Sequence, residues 1–248
     1  MIEAVSISKA FGGHLVLDQV SVKFEKGKTN LIIGQSGSGK TVLMKCLVGL
    51  FDVDKGQILY DGRAFTKMSY SEMKIIRQEI GMLFQGGALF DSMNVEENVI
   101  FPLSMFTMQT PEEKRERANF CLSRVNLVNV NKLLPSELSG GMKKRVAIAR
   151  AIAMNPQYLF CDEPNSGLDP ITANLIDNLI SEITTEYDIT TVVNTHDMNS
   201  VLEIGDKISF IHNGKLWWEG DSDTILQSDN GELNDFVFAT KLTRKLKT

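Results

Sequence analysis

Long hydrophobic runs are missing from this sequence of 248 residues. The longest apolar candidates, at 42–51 and 98–106, are interrupted by Lys45 and Pro102. Neither reaches the roughly 18 residues that a membrane-spanning helix needs. We therefore expect that the chain does not cross a bilayer by itself.

Cysteine is also scarce, with three residues at positions 46, 121 and 161. An odd number of cysteines cannot pair completely, and each of these lies inside an apolar segment. The sequence has no Cys-x-x-Cys pair and no Cys/His cluster, which are the usual patterns of zinc sites. We expect reduced thiols that pack in the core.

An excess of positive charge is the third missing feature. The chain has 26 basic and 31 acidic residues, which give a formal net charge of −5. Because no overall positive field would attract phosphate backbones, we expect no nucleic-acid partner. The hydrophobic share of 43% and the charged share of 23% are close to the averages for globular proteins, so a folded core is expected.

The order of strand and helix patterns predicts an α/β fold. Two strand patterns open the chain, and an apolar strand at 29–33 leads through a glycine-rich loop into a helix at 41–50. After a mainly helical segment, strands and helices alternate from 158 to 211, followed by a β-hairpin through Asn213-Gly214. We predict a single domain over 1–248, with a helical insert at about 85–138 and a C-terminal helical tail at 221–248.

The glycine-rich loop matches the phosphate-loop pattern G-x-x-x-x-G-K-[ST]. Its glycines let the loop curl so that backbone N–H groups face phosphate oxygens, and the helix that follows adds its positive end. Lys40 can reach the β- and γ-phosphates, and the Thr41 hydroxyl can ligate Mg²⁺. The predicted nucleotide-binding residues of this loop are Gly34, Gln35, Ser36, Gly37, Ser38, Gly39, Lys40 and Thr41.

Two adjacent carboxylates follow the apolar segment at 158–161. A buried strand would deliver Asp162 and Glu163 to its carboxyl end, where open α/β sheets bind ligands. Asp162 is placed to hold Mg²⁺ through water, and Glu163 to polarise the attacking water as general base. A strand that ends in two acids also fits a solvated strand end, but the phosphate loop favours the functional interpretation.

A third motif, Leu138-Ser139-Gly140-Gly141-Met142, stands at the start of a helix rich in Lys and Arg. Its hydroxyl and amide groups would form an anion site at a helix N-terminus. Alternatively, the serine is an ordinary N-cap and the glycines ease the turn. Taken alone, the motif favours this second interpretation.

Together the three motifs resemble those of the ATP-binding cassette (ABC) ATPase family, over nearly the whole chain. Residues 34–41 resemble its Walker A motif, 158–163 its Walker B motif and 138–142 its signature, usually LSGGQ. The resemblance implies a P-loop NTPase core with an N-terminal antiparallel β subdomain and an inserted α-helical subdomain. It also implies a dimer that sandwiches two molecules of ATP, with Ser139, Gly140 and Gly141 of each chain closing over the other chain's phosphate loop.

Further positions match the family in the same order. Gln85 resembles the Q-loop glutamine, which implies Mg²⁺ sensing and coupling to a transmembrane partner. Asp169, at the end of Ser166-Gly167-Leu168-Asp169, resembles the D-loop aspartate. His196 resembles the switch histidine that contacts the γ-phosphate, and Phe11 lies where the family places an aromatic ring that stacks on adenine.

The sequence departs from the family pattern at two of these motifs. Met142 replaces the usual signature glutamine, so a polar contact to the partner's nucleotide is in doubt. We expect hydrolysis to survive, because Ser139 and Gly141 remain. Phe11 replaces the commoner tyrosine, and adenine binding should survive because stacking needs only the face of the ring.

The segment 85–103 carries a narrower resemblance. Its run G-G-A-L-F-D-S, followed by E-N-V-x-F-P-L after a short gap, resembles the ATPase subunits of Mla-type phospholipid transporters. This implies lipid transport through a separate integral membrane permease, at the cytoplasmic face of the inner membrane, with an MCE-domain protein and a small regulatory subunit as further partners. The apolar residues Leu89, Phe90, Val95 and Phe101 suit a groove for a coupling helix, although some of them are expected in the insert's own core.

Three alternatives remain open. The first is an ABC transporter ATPase for another substrate, such as an amino acid or a metal chelate. The second is an ABC ATPase that acts on nucleic acid or the ribosome. Such proteins usually carry a coiled-coil insertion or a second cassette, and this sequence shows neither heptads nor a second set of motifs. The basic C-terminal end, with Lys241, Arg244, Lys245 and Lys247, could still touch RNA or anionic lipid. The third, a silent regulator, is disfavoured because Lys40, Glu163 and His196 are all present.

Overall fold

The computed structural model describes residues 1–239, and the basic end of the chain lies outside the described residues. The strands are β1 Ile2–Phe11, β2 His14–Phe24, β3 Thr29–Ile33, β4 Lys55–Tyr60, β5 Arg63–Ala64, β6 Ile80–Leu83, β7 Tyr158–Asp162, β8 Thr190–Asn194, β9 Lys207–His212 and β10 Lys215–Gly220. The helices are α1 Lys40–Leu47, α2 Tyr70–Gln78, α3 Val95–Phe106, α4 Pro111–Arg124, α5 Gly140–Ile152, α6 Pro170–Glu186, α7 Met198–Ile204 and α8 Gly231–Val237.

These strands form two sheets. The first is antiparallel and has the order β2-β1-β4-β5. The second has the order β10-β9-β3-β8-β7-β6 and is parallel from β9 to β6, with β10 antiparallel at one edge. The sequence prediction of an α/β fold with an N-terminal antiparallel subdomain is confirmed.

The central strands of the second sheet are buried on both faces and divide the interior into two cores. Because successive strand residues face opposite ways, Leu31 and Ile33 of β3 point into one core and Ile32 into the other. The first core also contains side chains of α3, α4, α5 and α6, and the second contains those of α1 and the antiparallel sheet. All residues of β3, β7 and β8 are buried, as expected for parallel strands covered by helices.

Helix α4 begins where its capping signals predict. The Thr110 side chain accepts a hydrogen bond from the N–H of Glu113, Glu113 bonds back to the Thr110 backbone, and Pro111 occupies the first helical position. Helix α3 starts in the same way at Asn94, with Glu97 as its partner. These helices lie within the predicted insert at 85–138; the proposed domain division stays a prediction.

Strand β6 was missed by the sequence analysis, which predicted no strand between 64 and 85. Its four residues are too few for an alternating pattern to be recognised, and its pairing with β7 involves residues far away in the chain. Among residues 1–239, no helix combines the length and the apolar character that crossing a membrane would require.

Candidate functional site

The predicted phosphate loop connects β3 to α1 at the carboxyl edge of the parallel sheet. Gly34 has a φ of 148°, and a side chain there would place its Cβ 2.3 Å from the Ile211 carbonyl oxygen. Gly39 has a φ of 108° and forms the N-cap of α1. Only glycine fits both positions without strain, which explains two of the glycines in the motif.

Lys40 closes the loop from inside. Its Nζ donates hydrogen bonds to the backbone oxygens of Gly34, at 2.8 Å, and Gln35, at 3.0 Å. Burial lowers the pKa of this ammonium group, while the carboxylates of Glu163 and Asp162 oppose that effect. The side chain is therefore held at the floor of a cradle, where a phosphate group would meet a partly desolvated positive charge.

A third side chain joins two of the predicted Mg²⁺ ligands, Asp162 at the end of β7 and Thr41 at the start of α1. The Asn194 amide donates to Asp162 Oδ1 at 2.5 Å and to Thr41 Oγ1 at 3.2 Å. Asn194 ends β8, which lies between β3 and β7. The sequence analysis did not single out Asn194; its only signal was its position as the last residue of a buried strand.

The donors of this corner suit Mg²⁺. Thr41 and Asp162 offer a hydroxyl and a carboxylate, the hard oxygen ligands that Mg²⁺ prefers. Thr41 and Gln85 line the cavity next to the phosphate loop. The buried Asn194 Oδ1 has no hydrogen-bond partner among residues 1–239. The same residues contain no group of three or more His, Cys, Asp or Glu side chains that could hold a metal ion. Mg²⁺ usually keeps several waters and binds through one or two carboxylates together with substrate phosphates, so a site with few protein ligands fits it.

Glu163 and His196 are brought together as the sequence analysis required. His196 Nδ1 lies 2.8 Å from the Glu163 carboxylate, and both residues line the same cavity as the phosphate loop. Glu163 has a φ of 48°, an uncommon conformation for a residue with a side chain, and its N–H donates to the Asn194 carbonyl at 2.9 Å. Such a conformation persists only where neighbouring groups hold it in place.

The Q-loop residue Gln85 lies directly after β6, and α5 holds its backbone. The buried Lys144 Nζ donates to the Gln85 carbonyl and, at 3.3 Å, to the Glu163 carbonyl; burial lowers its pKa. Arg150 donates to the carbonyls of Gly87 and Ala88 at 2.7 and 2.8 Å. Neither basic residue was singled out from the sequence.

The signature and D-loop residues do not line this cavity. Ser139 caps α5 by accepting a hydrogen bond from the Met142 N–H at 3.2 Å. Asp169 caps α6, and its hydrogen bond from the Thr172 hydroxyl is the main cause of its lowered pKa. Within one chain, therefore, the two segments are helix starts away from the phosphate loop, and their predicted contact with nucleotide requires a second chain.

A buried network lies behind the D-loop. Asn165 donates to Asp177 at 2.7 Å and to Ser200 at 3.0 Å, and Ser200 donates to Asp177 at 2.7 Å. Burial raises the pKa of Asp177 to about 6. The network joins α6 to α7, which follows His196, and sequence reasoning missed it because the three residues are far apart in the chain.

The cavity itself has a volume of about 1120 Å³, slightly more than the roughly 300–1,000 Å³ of typical ligand pockets. Besides the phosphate loop, Gln85, Glu163 and His196, its wall includes Val16 and Phe236 of α8. Phe11, predicted to stack on adenine, lies outside this wall and packs edge-on against Phe51 with ring centroids 5.2 Å apart. The role of Phe11 stays a prediction.

Residues 17–166 match the sequence profile of the family described as ABC transporter. The intermembrane phospholipid transport system ATP-binding protein MlaF of Haemophilus influenzae is 37% identical, covering 96% of this chain and 90% of that protein. The methionine import ATP-binding protein MetN of Campylobacter jejuni is 36% identical, covering 96% and 75%. A probable ribonucleotide transport ATP-binding protein, mkl of Mycobacterium leprae, is 36% identical, covering 95% and 68%.

Two solved structures share the fold. The dimeric bacterial ABC transporter cassette MJ0796 has a TM-score of 0.82 and 31% identity, covering 90% of this chain and 99% of its own, and it is also known in a post-hydrolysis state bound to ADP and Pi. The protein cbiO1 of Clostridium perfringens, part of the ABC transporter complex cbiONQ, has a TM-score of 0.85 and 26% identity, covering 100% and 98%.

Proposed function

Because this chain belongs to the ABC transporter family, as an ATP-binding subunit that hydrolyses ATP, we propose that it drives phospholipid transport between bacterial membranes. It binds ATP with Mg²⁺ and works as a homodimer with a membrane permease. The observation that carries the lipid substrate is the 37% identity to MlaF over 90% of that protein, together with the segment 85–103.

We assign roles to the residues around the cavity as follows. Lys40 and the loop amides bind the β- and γ-phosphates, because the loop curls around the position that a phosphate would take. Thr41, Asp162 and Gln85 would hold Mg²⁺, which when bound neutralises charge on the phosphate oxygens. Phe11 is proposed to stack on adenine, and Asp169 to contact the partner chain next to the nucleotide.

Hydrolysis in this proposal is an in-line attack of water on the γ-phosphorus, which breaks the bond to the oxygen that bridges the β- and γ-phosphates and releases ADP and phosphate. Glu163 accepts the proton of that water as general base, and its partly buried carboxylate is oriented by the hydrogen bond to His196. His196 in turn orients the γ-phosphate. Ser139, Gly140 and Gly141 of the second chain complete the cradle, since one phosphate loop alone cannot surround a triphosphate and exclude water.

The proposed permease contact lies around the Q-loop. Phe84 and Phe90 are about two-fifths exposed, and Phe90 packs against Phe101 with ring centroids 4.6 Å apart. Val95, which the sequence analysis also assigned to a coupling groove, is fully buried and belongs to the core of the insert. We propose that the exposed rings receive a helix of the permease at the cytoplasmic face of the inner membrane.

An MCE-domain protein and a small regulatory subunit complete the proposed assembly, and their support is the resemblance of segment 85–103 to Mla-type subunits. A second candidate substrate is methionine, which the 36% identity to MetN supports. Nucleic acid is not a proposed partner.

Purification of the native complex from detergent-extracted membranes separates these possibilities. The proposal expects a multi-spanning protein and an MCE-domain protein, with phospholipid found by mass spectrometry and stimulation of the ATPase by added phospholipid. A complex that instead contains a methionine-binding protein, and whose ATPase responds to methionine but not to lipid, would favour the second candidate.

A further inference from the structure

Helix α5 buries a cation that the proposed mechanism does not use. The Lys144 residue is 5% exposed and shares one helix face with Gly141, Ile148 and Ala151, which are all buried. Its neighbours Lys143 and Arg145 are only half-buried. Lysine is rarely buried to this degree, because removing an ammonium group from water is costly unless hydrogen-bond acceptors replace the lost water.

The acceptors of Lys144 come from two separate loops. Its Nζ donates to the backbone oxygen of Gln85, in the loop after β6, and to that of Glu163, in the loop after β7. These strands are neighbours in the parallel sheet. One ammonium group therefore links the signature helix to the backbones of both residues.

The link to Glu163 matters because of that residue's backbone. With a φ of 48°, Glu163 needs its surroundings to hold it in the left-handed region. Its N–H donates to the Asn194 carbonyl at 2.9 Å, and its C=O accepts from the Ser166 N–H at 3.2 Å and from Lys144 Nζ at 3.3 Å, so both polar groups of its backbone are held. Among these partners, Lys144 is the one that also reaches the Q-loop. This arrangement sets the direction in which the carboxylate leaves the chain toward His196.

The link to Gln85 extends along the Q-loop. Arg150, on the same helix, holds the next carbonyls of that loop, at Gly87 and Ala88. Within residues 1–239, Arg150 donates no hydrogen bond to Glu163. Among the described side chains of α5, Lys144 therefore donates hydrogen bonds both to the Q-loop and to Glu163, whereas Arg150 donates to the Q-loop alone.

We propose that Lys144 is a positioning residue that couples the Q-loop to Glu163, so that displacement of residues 84–88 by the permease changes the placement of the general base. The inference rests on the proposed roles of Gln85 and Glu163. In this proposal Lys144 contacts neither ATP nor the attacking water. It affects hydrolysis through its hydrogen bonds to the backbone carbonyls of Gln85 and Glu163.

Substitution of Lys144→Met tests this role, because methionine keeps the length and the apolar stem but removes the N–H donors. We expect kcat of the Mg-ATPase to fall about 10- to 100-fold, since misplacement of a reacting group by about 1 Å costs this much. The KM for ATP should change little, because Lys144 does not line the cavity. The melting temperature should fall modestly, because two backbone carbonyls lose a hydrogen-bond donor. Lys144→Arg, which keeps the charge and N–H donors, should recover much of the lost kcat.

Lys143→Met is the matched control, because this lysine precedes Lys144 on the same helix and donates to neither carbonyl. It should keep the parental kcat. Gln85→Ala tests the coupling: if Lys144 acts partly through the Q-loop, the two substitutions combined should lower kcat less than the product of their separate effects. Should Lys144→Met fail to fold, Lys144→Leu, which also lacks N–H donors, is measured in the same way and should lower kcat with unchanged KM.

A folded Lys144→Met variant with parental kcat would overturn the inference, as would an equal loss in the Lys143→Met control or a loss confined to KM. Fully multiplicative effects with Gln85→Ala would refute the coupling to the Q-loop. An inactive parental protein would instead refute the proposed function, so the two failures are distinguishable.

Discussion

Replacement of Asp177 by asparagine should change the free energy of unfolding by an amount that can be worked out from the structure. The residue is 1% exposed, and its Oδ1 has no hydrogen-bond partner in the described part of the chain, while Oδ2 accepts bonds from Asn165 and Ser200. Burial raises its pKa from 3.8 to about 6. At 1.36 kcal/mol for each pKa unit, this corresponds to about 3 kcal/mol.

The direction in which stability changes with pH follows from proton binding. A carboxyl group with a higher pKa in the folded chain binds its proton more tightly there, so the folded state loses stability as pH rises from about 4 to about 6. Above pH 6 this loss of stability no longer changes with pH. Asparagine stays neutral at every pH and can still accept both hydrogen bonds through its carbonyl oxygen. Asp177→Asn should therefore remove the loss of stability.

Urea unfolding of the nucleotide-free protein at pH 4.5 and at pH 8 measures this effect. We expect Asp177→Asn to raise the free energy of unfolding by up to about 3 kcal/mol at pH 8 and by clearly less at pH 4.5. Asp91→Asn, at an exposed carboxylate, should show no such difference between the two pH values. A destabilised Asp177→Asn variant at pH 8, or an equal gain at both values, would refute the reasoning.

Three further predictions concern the nucleotide site. Glu163→Gln should lower kcat by about 10²- to 10⁴-fold, because a positioned general base contributes this much; turnover at the parental rate would exclude that role. Lys40→Ala should weaken ATP binding about 10- to 100-fold in a titration, and unchanged affinity would contradict the cradle. Asn194→Ala should raise the Mg²⁺ concentration for half-maximal activity about 10-fold, because it removes the amide that joins Asp162 to Thr41; an unchanged Mg²⁺ dependence would count against this link.

The parts of the site that could be predicted are those contiguous in sequence. The phosphate loop can be recognised from the sequence because its glycines, Lys40 and Thr41 follow one another between a strand and a helix. The pair Asp162 and Glu163 follows directly from a buried strand that ends at the sheet's carboxyl edge. Local spacing was sufficient to place both.

The residues that were missed act across long distances in the chain. Asn194 reaches Asp162 and Thr41 only because β8 pairs between β3 and β7, and strand order cannot be read from local spacing. Lys144 did leave a signal: its spacing of three, four and seven residues from Gly141, Ile148 and Ala151 places it on the buried face of α5. Within the run Lys143-Lys144-Arg145, that period identifies the lysine that is buried.

The proposed mechanism requires that two copies of this chain enclose ATP between them. Sedimentation of the 248-residue Glu163→Gln protein with and without millimolar Mg-ATP tests this requirement. We expect a monomer that becomes a dimer when the nucleotide is added, with one ATP retained per chain. A protein that binds no ATP under these conditions, or stays monomeric with ATP bound, would contradict it.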